Sequence, residues 1–275
     1  MIPVGRAFYK LSGSGNDFVF VDTRSEPAGS LAQPEVVGAI CQHGTGIGAD
    51  GIVFLEHSDR AAVRMVYLNA DGSRADLCGN ATLCAARMAR ELGIAPQGPF
   101  EIETDVGALG ARFVGDSPEI DLQPVTGLKT DAGLPLAPGE RLMGFAVAGV
   151  PHLCILVEDL DAGDVIGRGR PLRRDPSLRA GANVNFLFQN QDGTFSYRTY
   201  ERGVETETLA CGTGAVASAA LLTAWELASS PIRLRTRSGR ELGVRFADVD
   251  GAKVPSLTGE ARIVFIGNFA ELPAP

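Results

Sequence analysis

The sequence Cys78-Gly79-Asn80 returns 133 positions later as Cys211-Gly212-Thr213. The same offset relates Gly48-Ala49-Asp50-Gly51-Ile52 to Gly181-Ala182-Asn183-Val184-Asn185, where small residues and an Asp or Asn precede an apolar run. Separate blocks that repeat at one offset indicate an internal duplication. We therefore expect two halves that share one fold.

Each half contains strand-like runs and then an Ala-rich segment with the composition of a helix. The runs are rich in Val, Ile, Phe and Tyr and are bounded by Gly, Asn and Asp. The Ala-rich segment follows the repeated Cys-Gly pair and holds residues that favour helices. The predicted strands are Phe18–Asp22, Ile52–Glu56, Val63–Leu68, Leu153–Glu158, Val184–Gln189 and Phe195–Tyr200, and the predicted helices are Thr82–Leu92 and Ala215–Leu227.

Composition narrows the classes of function. The formal net charge is −8, and no cluster of Lys and Arg is present, so we expect no nucleic-acid or membrane partner. No segment approaches the roughly 20 apolar residues of a membrane helix, and the first ten residues lack a signal-peptide pattern. Five cysteines, an odd number, favour free thiols in a reducing compartment, and we predict a cytoplasmic protein. The three histidines and the absence of zinc-like spacing predict no metal.

The repeated cysteines stand where chemistry would be expected. Each precedes the N-terminus of a predicted helix, where unpaired N–H groups and the helix dipole favour negative charge. This position should lower the pKa of a thiol, and the N–H groups of the following residues can hold a carboxylate. Cys41, Cys84 and Cys154 have no such setting, and we interpret them as small core residues.

Duplication would place two thiols around one substrate. An α-amino acid held by its carboxylate between two such helix ends would meet one sulfur on each face of Cα. A thiolate could remove the α-proton while the opposite thiol returns another, which inverts the centre by general acid–base catalysis. The residues thus predict a two-base epimerase with its site in a cleft between the halves.

One glycine-rich motif resembles a nucleotide-binding turn but is interpreted as a coincidental match. Gly46-Ile47-Gly48-Ala49-Asp50-Gly51 fits the glycine pattern of a dinucleotide-binding turn. That turn follows a strand and opens a helix, whereas here a strand-like run comes next. We predict no nucleotide at this position.

Several segments together resemble the signatures of the diaminopimelate epimerase family, a group of cofactor-independent two-cysteine epimerases and racemases. The resemblance runs from Tyr9 to about Gly267. The cysteine motifs are specific in combination with the Tyr-Glu-Arg-Gly that lies between them. The segments are Gly15–Phe18, Asn69–Ser73, Cys78–Asn80, Pro151-His152, Tyr200–Gly203 and Glu207–Gly214.

The resemblance implies an α+β fold with two pseudo-symmetric domains, each a β-barrel-like sheet around a central helix. The domains would be 1–122 and 123–263, with the terminal strand 264–275 completing the first. It implies no pyridoxal phosphate, no other cofactor and no metal. The partner would be a small amino-acid substrate, and the resemblance leaves room for a homodimer.

The resemblance also assigns roles to residues. Cys78 would donate the proton and Cys211 accept it in the L,L to meso direction, with His152 and Glu201 tuning the thiols. Taken alone, His152 would be predicted as a surface histidine and Glu201 as a solvated glutamate. The substrate-binding set would be Asn16, Asn69, Gly79, Asn80, Asn183, Glu201, Arg202, Gly212 and Thr213.

The sequence departs from the family pattern before the Pro-His pair. The family usually has Asn there as a substrate contact, whereas this chain has Val150. A valine cannot hydrogen-bond a distal head group. This change leaves both cysteines in place, so it affects the choice of substrate and not the thiol chemistry.

Other functions stay open at this stage. The first is a racemase for another amino acid, such as histidine or proline, although three Asn and an Arg suit a second charged head group better. The second is a non-catalytic small-molecule binder or an isomerase that uses one cysteine. A Cys–His hydrolase is disfavoured, because no Asn or Asp that would orient His152 is evident from the sequence.

Overall fold

The computed structural model describes residues 5–161, 163–249 and 252–270. The helices are α1 (Pro34–Cys41), α2 (Gly79–Glu91), α3 (Val165–Arg173) and α4 (Gly212–Ala224), with a short 3-10 helix at Gly29–Ala32. The strands are β1 (Ala7–Gly13), β2 (Asn16–Asp22), β3 (Gly51–Glu56), β4 (Val63–Asn69), β5 (Phe100–Thr104), β6 (Gly107–Val114), β7 (Ser117–Asp121), β8 (Thr126–Lys129), β9 (Glu140–Ala148), β10 (Val150–Val157), β11 (Asn183–Gln189), β12 (Phe195–Glu201), β13 (Thr206–Thr208), β14 (Ile232–Arg235), β15 (Glu241–Val249), β16 (Ala252–Gly259) and β17 (Arg262–Asn268). The predicted α+β class is confirmed.

The first compact unit comprises the described residues up to Ile120 together with those from Gly259 onward. Its strand β1 pairs antiparallel with both β2 and β17, so strands far apart in sequence are neighbours in one sheet. Next, β2 runs parallel to β3, β3 antiparallel to β4, and β4 parallel to β5. Helix α2 packs against β1, β3, β4 and β5.

A second apolar layer explains why β3 is buried along almost its whole length. Ile52 and Phe54 pack in a cluster with Val36 and Val37 of α1. Neighbouring residues of a strand point to opposite faces, so Val53 and Leu55 lie on the other face of the sheet. Because both faces are covered, the strand is a continuous apolar run.

The second unit runs from Asp121 to Thr258 and repeats this plan. Strand β10 is antiparallel to β9 and parallel to β11, β11 is antiparallel to β12, and β12 is parallel to β14. The pair Phe195 and Leu234 stands 132 positions after the equivalent pair Val63 and Ile102. Helix α4 packs against β9, β10 and β11. Helix α3 packs in an apolar cluster that contains Leu153 of β10 and Val184 of β11. The duplicated blocks of sequence are thus duplicated pairings.

The two long helices begin three residues before their predicted starts. Both α2 and α4 have 13 residues, and each begins directly after its cysteine, at Gly79 and Gly212. The cysteine itself has extended backbone angles and is the N-cap, so the Gly that follows it is already helical. Glycine has low helix propensity, which is why composition placed the starts three residues later.

The prediction of one helix in each half was also wrong. Helix α1 has only eight residues and begins at a proline, and α3 contains two glycines and Pro171. Such composition argues against a helix interior, yet Val165 and Leu172 of α3 are buried in the second unit. Tertiary burial therefore outweighs intrinsic propensity here.

The predicted boundaries at 122/123 and 263/264 lie a few residues from the observed limits at Ile120 and Gly259. Residues 271–275 of the predicted terminal segment lie outside the described residues. Within the part of the chain that the structure describes, no helix is long and apolar enough to cross a membrane.

We expect the two central helices to contribute similarly to stability. Met88 and Leu221 occupy equivalent positions, 133 residues apart, and both are fully buried. Met88→Ala and Leu221→Ala should each lower the free energy of unfolding by about 2–5 kcal/mol, because each leaves a cavity. Urea titration measures this. Arg87→Ala, which alters the same helix at a partly exposed position, should cost about 0.5 kcal/mol or less. Equal effects of Arg87→Ala and Met88→Ala would contradict the packing described.

Candidate active site

Cys78 lies at the start of α2 in the first unit. It is half-buried, with backbone angles of φ −131° and ψ 113°, and Gly79 and Asn80 form the first helical positions. The N–H groups of a first helical turn have no partner within the helix. An anion next to Cys78 would therefore meet donors from Gly79 and Asn80.

A chain of amide contacts supports this helix start. Asn80, only 1% exposed, donates from Nδ2 to Asn16 Oδ1 at 2.6 Å. Asn16 Nδ2 donates in turn to Asp50 Oδ2 at 2.9 Å, and the backbone N–H of Asp17 donates to the same oxygen at 3.1 Å. The buried Oδ1 of Asn80 has no partner. An ionised Asp50 can only accept hydrogen bonds, so the amide groups of Asn16 and Asn80 both donate towards it. The side-chain carbonyl of Asn80 is thereby left available to a donor.

Asn69 has a more local setting. It is the last residue of β4, opposite Gly51 of β3, and its Nδ2 donates to Ser73 Oγ at 3.0 Å. This contact shapes the turn that follows β4. The structure does not bring Asn69 into the chain formed by Asn16, Asp50 and Asn80 in the described contacts.

Cys211 starts α4 in the second unit and is more enclosed, with 5% exposure. Its Sγ accepts the backbone N–H of Gly214 at 3.4 Å and lies 3.6 Å from Thr213 Oγ1. Tyr197 OH donates to the Cys211 carbonyl at 2.9 Å and accepts its N–H at 3.2 Å. The sulfur therefore has a backbone donor in Gly214, while Tyr197 fixes the backbone of the cysteine.

Asn183 links this helix start to the end of β12. Its Nδ2 lies 4.0 Å from Cys211 Sγ, and its Oδ1 accepts the backbone N–H of Arg202 at 2.8 Å. The Arg202 guanidinium donates to the Ala180 carbonyl at 2.7 Å. Glu201 is the last residue of β12 and pairs with Thr206 of β13. The second unit thus brings Asn183, Arg202 and Cys211 together around the first turn of α4.

His152 is buried, which is where the surface interpretation fails. It lies on β10 beside Asn183 of β11 and is 0% exposed. Its Nδ1 lies 3.2 Å from Asn185 Nδ2, and its buried Nε2 has no partner. Burial, together with the charge of Arg202, lowers the pKa of His152 to about 3. The His152 imidazole is therefore uncharged near neutral pH.

The sequence pattern of the family described as diaminopimelate epimerase matches residues 8–126 and 145–264. The chain belongs to the diaminopimelate epimerase family. It is 48% identical to the diaminopimelate epimerase of Gemmatimonas aurantiaca, across 97% of this chain and 100% of that one. It is 37% identical to the diaminopimelate epimerase of Aquifex aeolicus, across 96% and 98% of the two chains.

Solved structures show how widely the fold is shared. A PhzF-family phenazine biosynthesis protein from Bacillus anthracis superposes with a TM-score of 0.74 at 16% identity, across 95% of this chain and 97% of that one. A hydroxyproline epimerase from Agrobacterium vitis, with bound trans-4-OH-L-proline, gives a TM-score of 0.67 at 18% identity, across 97% and 93%. At these identities the likeness concerns the fold alone.

The three cysteines outside the family motifs are core residues, as predicted. Cys41, Cys84 and Cys154 are buried free thiols. Burial raises the pKa of Cys41 and of Cys154 to about 12, and raises that of Cys84 well above its usual value. Thiols with such pKa values stay protonated and cannot serve as bases near neutral pH.

Among the described residues, no group of three or more His, Cys, Asp or Glu is arranged to hold a metal ion. The segment Gly46–Gly51 leads into β3, as expected for a coincidental match to the nucleotide-binding pattern.

Asn185 is the residue that sequence reasoning missed. The alternation of a strand was the available signal, because Asn183 and Asn185 are two positions apart and so share a face of β11. Its contact with His152 depends on the parallel pairing of β10 and β11, in which His152 stands opposite Asn183. Residues 33 apart in sequence meet there, and no local pattern predicts that meeting.

The buried neutral histidine should make stability depend on pH. The unfolded chain binds a proton at His152 below about pH 6.5, whereas the folded chain resists it down to about pH 3. Stability is therefore lost as pH falls through this window, by about 2 kcal/mol between neutral pH and about pH 5. His152→Gln should remove this part of the slope in urea titrations at several pH values.

The matched control is His57→Gln, which changes a histidine whose side chain is 75% exposed. It should leave the slope as in the parent protein. An unchanged slope in His152→Gln would show that the imidazole is not held neutral by burial.

Proposed function

We propose that this protein catalyses the epimerisation of L,L-diaminopimelate to meso-diaminopimelate, a cofactor-independent isomerase reaction that serves lysine and cell-wall precursor synthesis. The observation that carries the proposal is the pair of equal helices, each capped by a cysteine, in a chain that belongs to the diaminopimelate epimerase family. The full-length match to relatives of that name supports the substrate.

The carboxylate of the reacting centre is held by helix N-termini in this proposal. Gly79 and Asn80, and likewise Gly212 and Thr213, occupy first-turn positions with N–H groups that lack acceptors in their helices. Such groups bind a carboxylate and stabilise the extra charge that develops on it when Cα loses its proton.

Inversion requires one acid and one base. In the L,L to meso direction, the thiolate of Cys211 removes the α-proton, and the electron pair is delocalised into the carboxylate. The thiol of Cys78 then delivers its own proton to the opposite face. Protons balance, because Cys211 ends as a thiol and Cys78 as a thiolate. The N–H of Gly214, 3.4 Å from Cys211 Sγ, supports this sulfur as the base.

The remaining residues serve specificity and tuning. His152 and Glu201 adjust the reacting groups, while Asn16, Asn69, Asn183 and Arg202 bind the distal amino-acid head. The contact of Asn183 with the backbone of Arg202 supports their acting together. Val150, at the start of β10, supplies no hydrogen bond to that head.

We place the reaction in the cytoplasm, because the five free cysteines suit a reducing compartment. The homodimer stays a prediction.

Replacing either sulfur should stop epimerisation and separate the two half-reactions. Cys78→Ser and Cys211→Ser should each lower kcat by about 10²–10⁴-fold, because a hydroxyl is a poor match for a base near neutral pH. In D₂O, Cys78→Ser should still exchange the α-proton of L,L-diaminopimelate, because Cys211 remains. Cys211→Ser should exchange only the D centre of the meso isomer. NMR follows both exchanges without added cofactor.

The control is Cys41→Ser, which changes a buried cysteine outside the proposed site. It should epimerise at the parent rate. In the parent protein, the first product should carry solvent deuterium while the remaining substrate keeps protium, because donor and acceptor are different sulfurs. Product that retains the substrate's own proton would reveal a one-base mechanism.

The substrate preference should be large. A site lined with polar groups rejects a ligand that leaves them unpaired, by about 10⁴-fold in kcat/KM. The loss of one contact at Val150 costs about 1 kcal/mol and should not reverse this preference. We expect L,L-diaminopimelate to exceed histidine, lysine, glutamate and proline in kcat/KM, and Arg202→Ala to reduce that value sharply by removing a charge-assisted pair.

Arg233→Ala is the matched control, since the Arg233 side chain is 66% exposed in the same unit. It should leave kcat/KM unchanged. A higher kcat/KM for any of the four other amino acids would keep the thiol chemistry and overturn the substrate.

A further inference from the structure

We propose that Asn185 is a positioning residue that fixes His152 as the neutral tautomer with its proton on Nε2, so that His152 acts as a hydrogen-bond donor and not as a proton carrier. The inference rests on the proposed function for its catalytic consequence. The tautomer itself follows from contacts within the second unit.

Two neighbours determine which way the Asn185 amide points. The Leu153 carbonyl lies 3.0 Å from one amide atom, and a carbonyl can only accept, so this atom is the NH₂ group. On the other side, the Thr199 hydroxyl lies 2.9 Å from Oδ1 and can donate to it. The reversed amide would place two carbonyl oxygens in contact at the Leu153 side.

The fixed amide determines the proton on the imidazole. Asn185 Nδ2 lies 3.2 Å from His152 Nδ1, so a donor faces this nitrogen. Nδ1 must then accept, which leaves the proton of a neutral imidazole on Nε2. An imidazolium would set one N–H against another.

The start of α4 keeps the amide in place. A Cβ at Gly214 would stand 2.5 Å from Asn185 Oδ1, so the amide packs directly against the glycine backbone. Gly214 is also the residue whose N–H donates to Cys211 Sγ. Asn185 therefore lies between the imidazole and the helix turn that holds the proposed base.

The electrostatic surroundings agree with a neutral donor. Complete burial, with a smaller contribution from the charge of Arg202, disfavours an imidazolium and holds the pKa of His152 at about 3. The Cys154 thiol, 3.6 Å from Asn185 Nδ2, also stays neutral, since burial raises its pKa to about 12. The partnerless Nε2–H, near a cationic guanidinium, suits an anionic acceptor such as a carboxylate oxygen.

The test is long-range ¹H–¹⁵N NMR on the full chain labelled at histidine, without substrate. The exposed His43 and His57 give the other two sets of signals, and His152→Gln assigns the third. We expect unprotonated Nδ1 and protonated Nε2 for His152, unchanged from about pH 5 to about pH 8. A proton on Nδ1, or titration within this range, would overturn the proposal.

Two variants connect the tautomer to catalysis. Asn185→Asp replaces the donor with an acceptor and should move a proton onto Nδ1, while Asn185→Leu should leave a mixture of tautomers. Each should lower kcat by about tenfold, the equivalent of one hydrogen bond, with a smaller change in KM. Unchanged Nδ1 protonation in a folded Asn185→Asp would also overturn the proposal.

Asn190→Ala is the matched control. Asn190 follows the same strand and donates to Thr194 Oγ1 at 2.9 Å, so its loss costs comparable hydrogen bonding away from the histidine. Its His152 signals and kcat should match the parent protein. Because the spectrum needs no turnover, failure of the parent protein to epimerise would count against the proposed function alone and not against the tautomer.

Discussion

The structure depends on one recurring constraint, the need to satisfy the N–H groups at the start of a buried helix. Helices α2 and α4 pack against strands of their own units, and most residues of their first turns are buried. Each has a cysteine in extended conformation as its N-cap and a glycine as its first residue. The donors that the helix cannot use are thereby left for a sulfur or an anion. The same backbone N–H groups at each helix start are therefore important both for the stability of the helix and for binding an anion.

The two helix starts have diverged in the groups that support them. In the first unit the support is ionic, since Lys10 and Asp17 pair at 2.5 Å beside the Asp50 carboxylate that orders the amides of Asn16 and Asn80. In the second unit a neutral chain from Thr199 through Asn185 to His152 takes this place. Asn183 stands where the first unit has Asp50. The two cysteines at these helix starts therefore have supports of different charge.

The sequence revealed the parts of this design that are local or repeated. The common offset predicted equivalent halves, and the cysteines at helix starts predicted where acid–base chemistry could occur. Contacts between elements that are distant in sequence could not be predicted from it. The burial of His152 follows from β10 being covered on both faces, with Leu153 in the cluster under α3 and Cys154 against Ser218 of α4. Helix α3, with its glycines and proline, exists because Val165 and Leu172 bury against strands that no local pattern links to it.

The pairing of β1 with β17 has a consequence for the order of assembly. The second unit is contiguous in sequence, whereas the first is split into segments that flank it. A chain that emerges from the ribosome with its N-terminus first can complete the later unit while the earlier one still lacks an edge partner for β1. An unpaired edge is a site for wrong pairing with other chains. The part of the chain made first is therefore the last to become complete, and slow translation near Arg262–Asn268 would prolong its exposure.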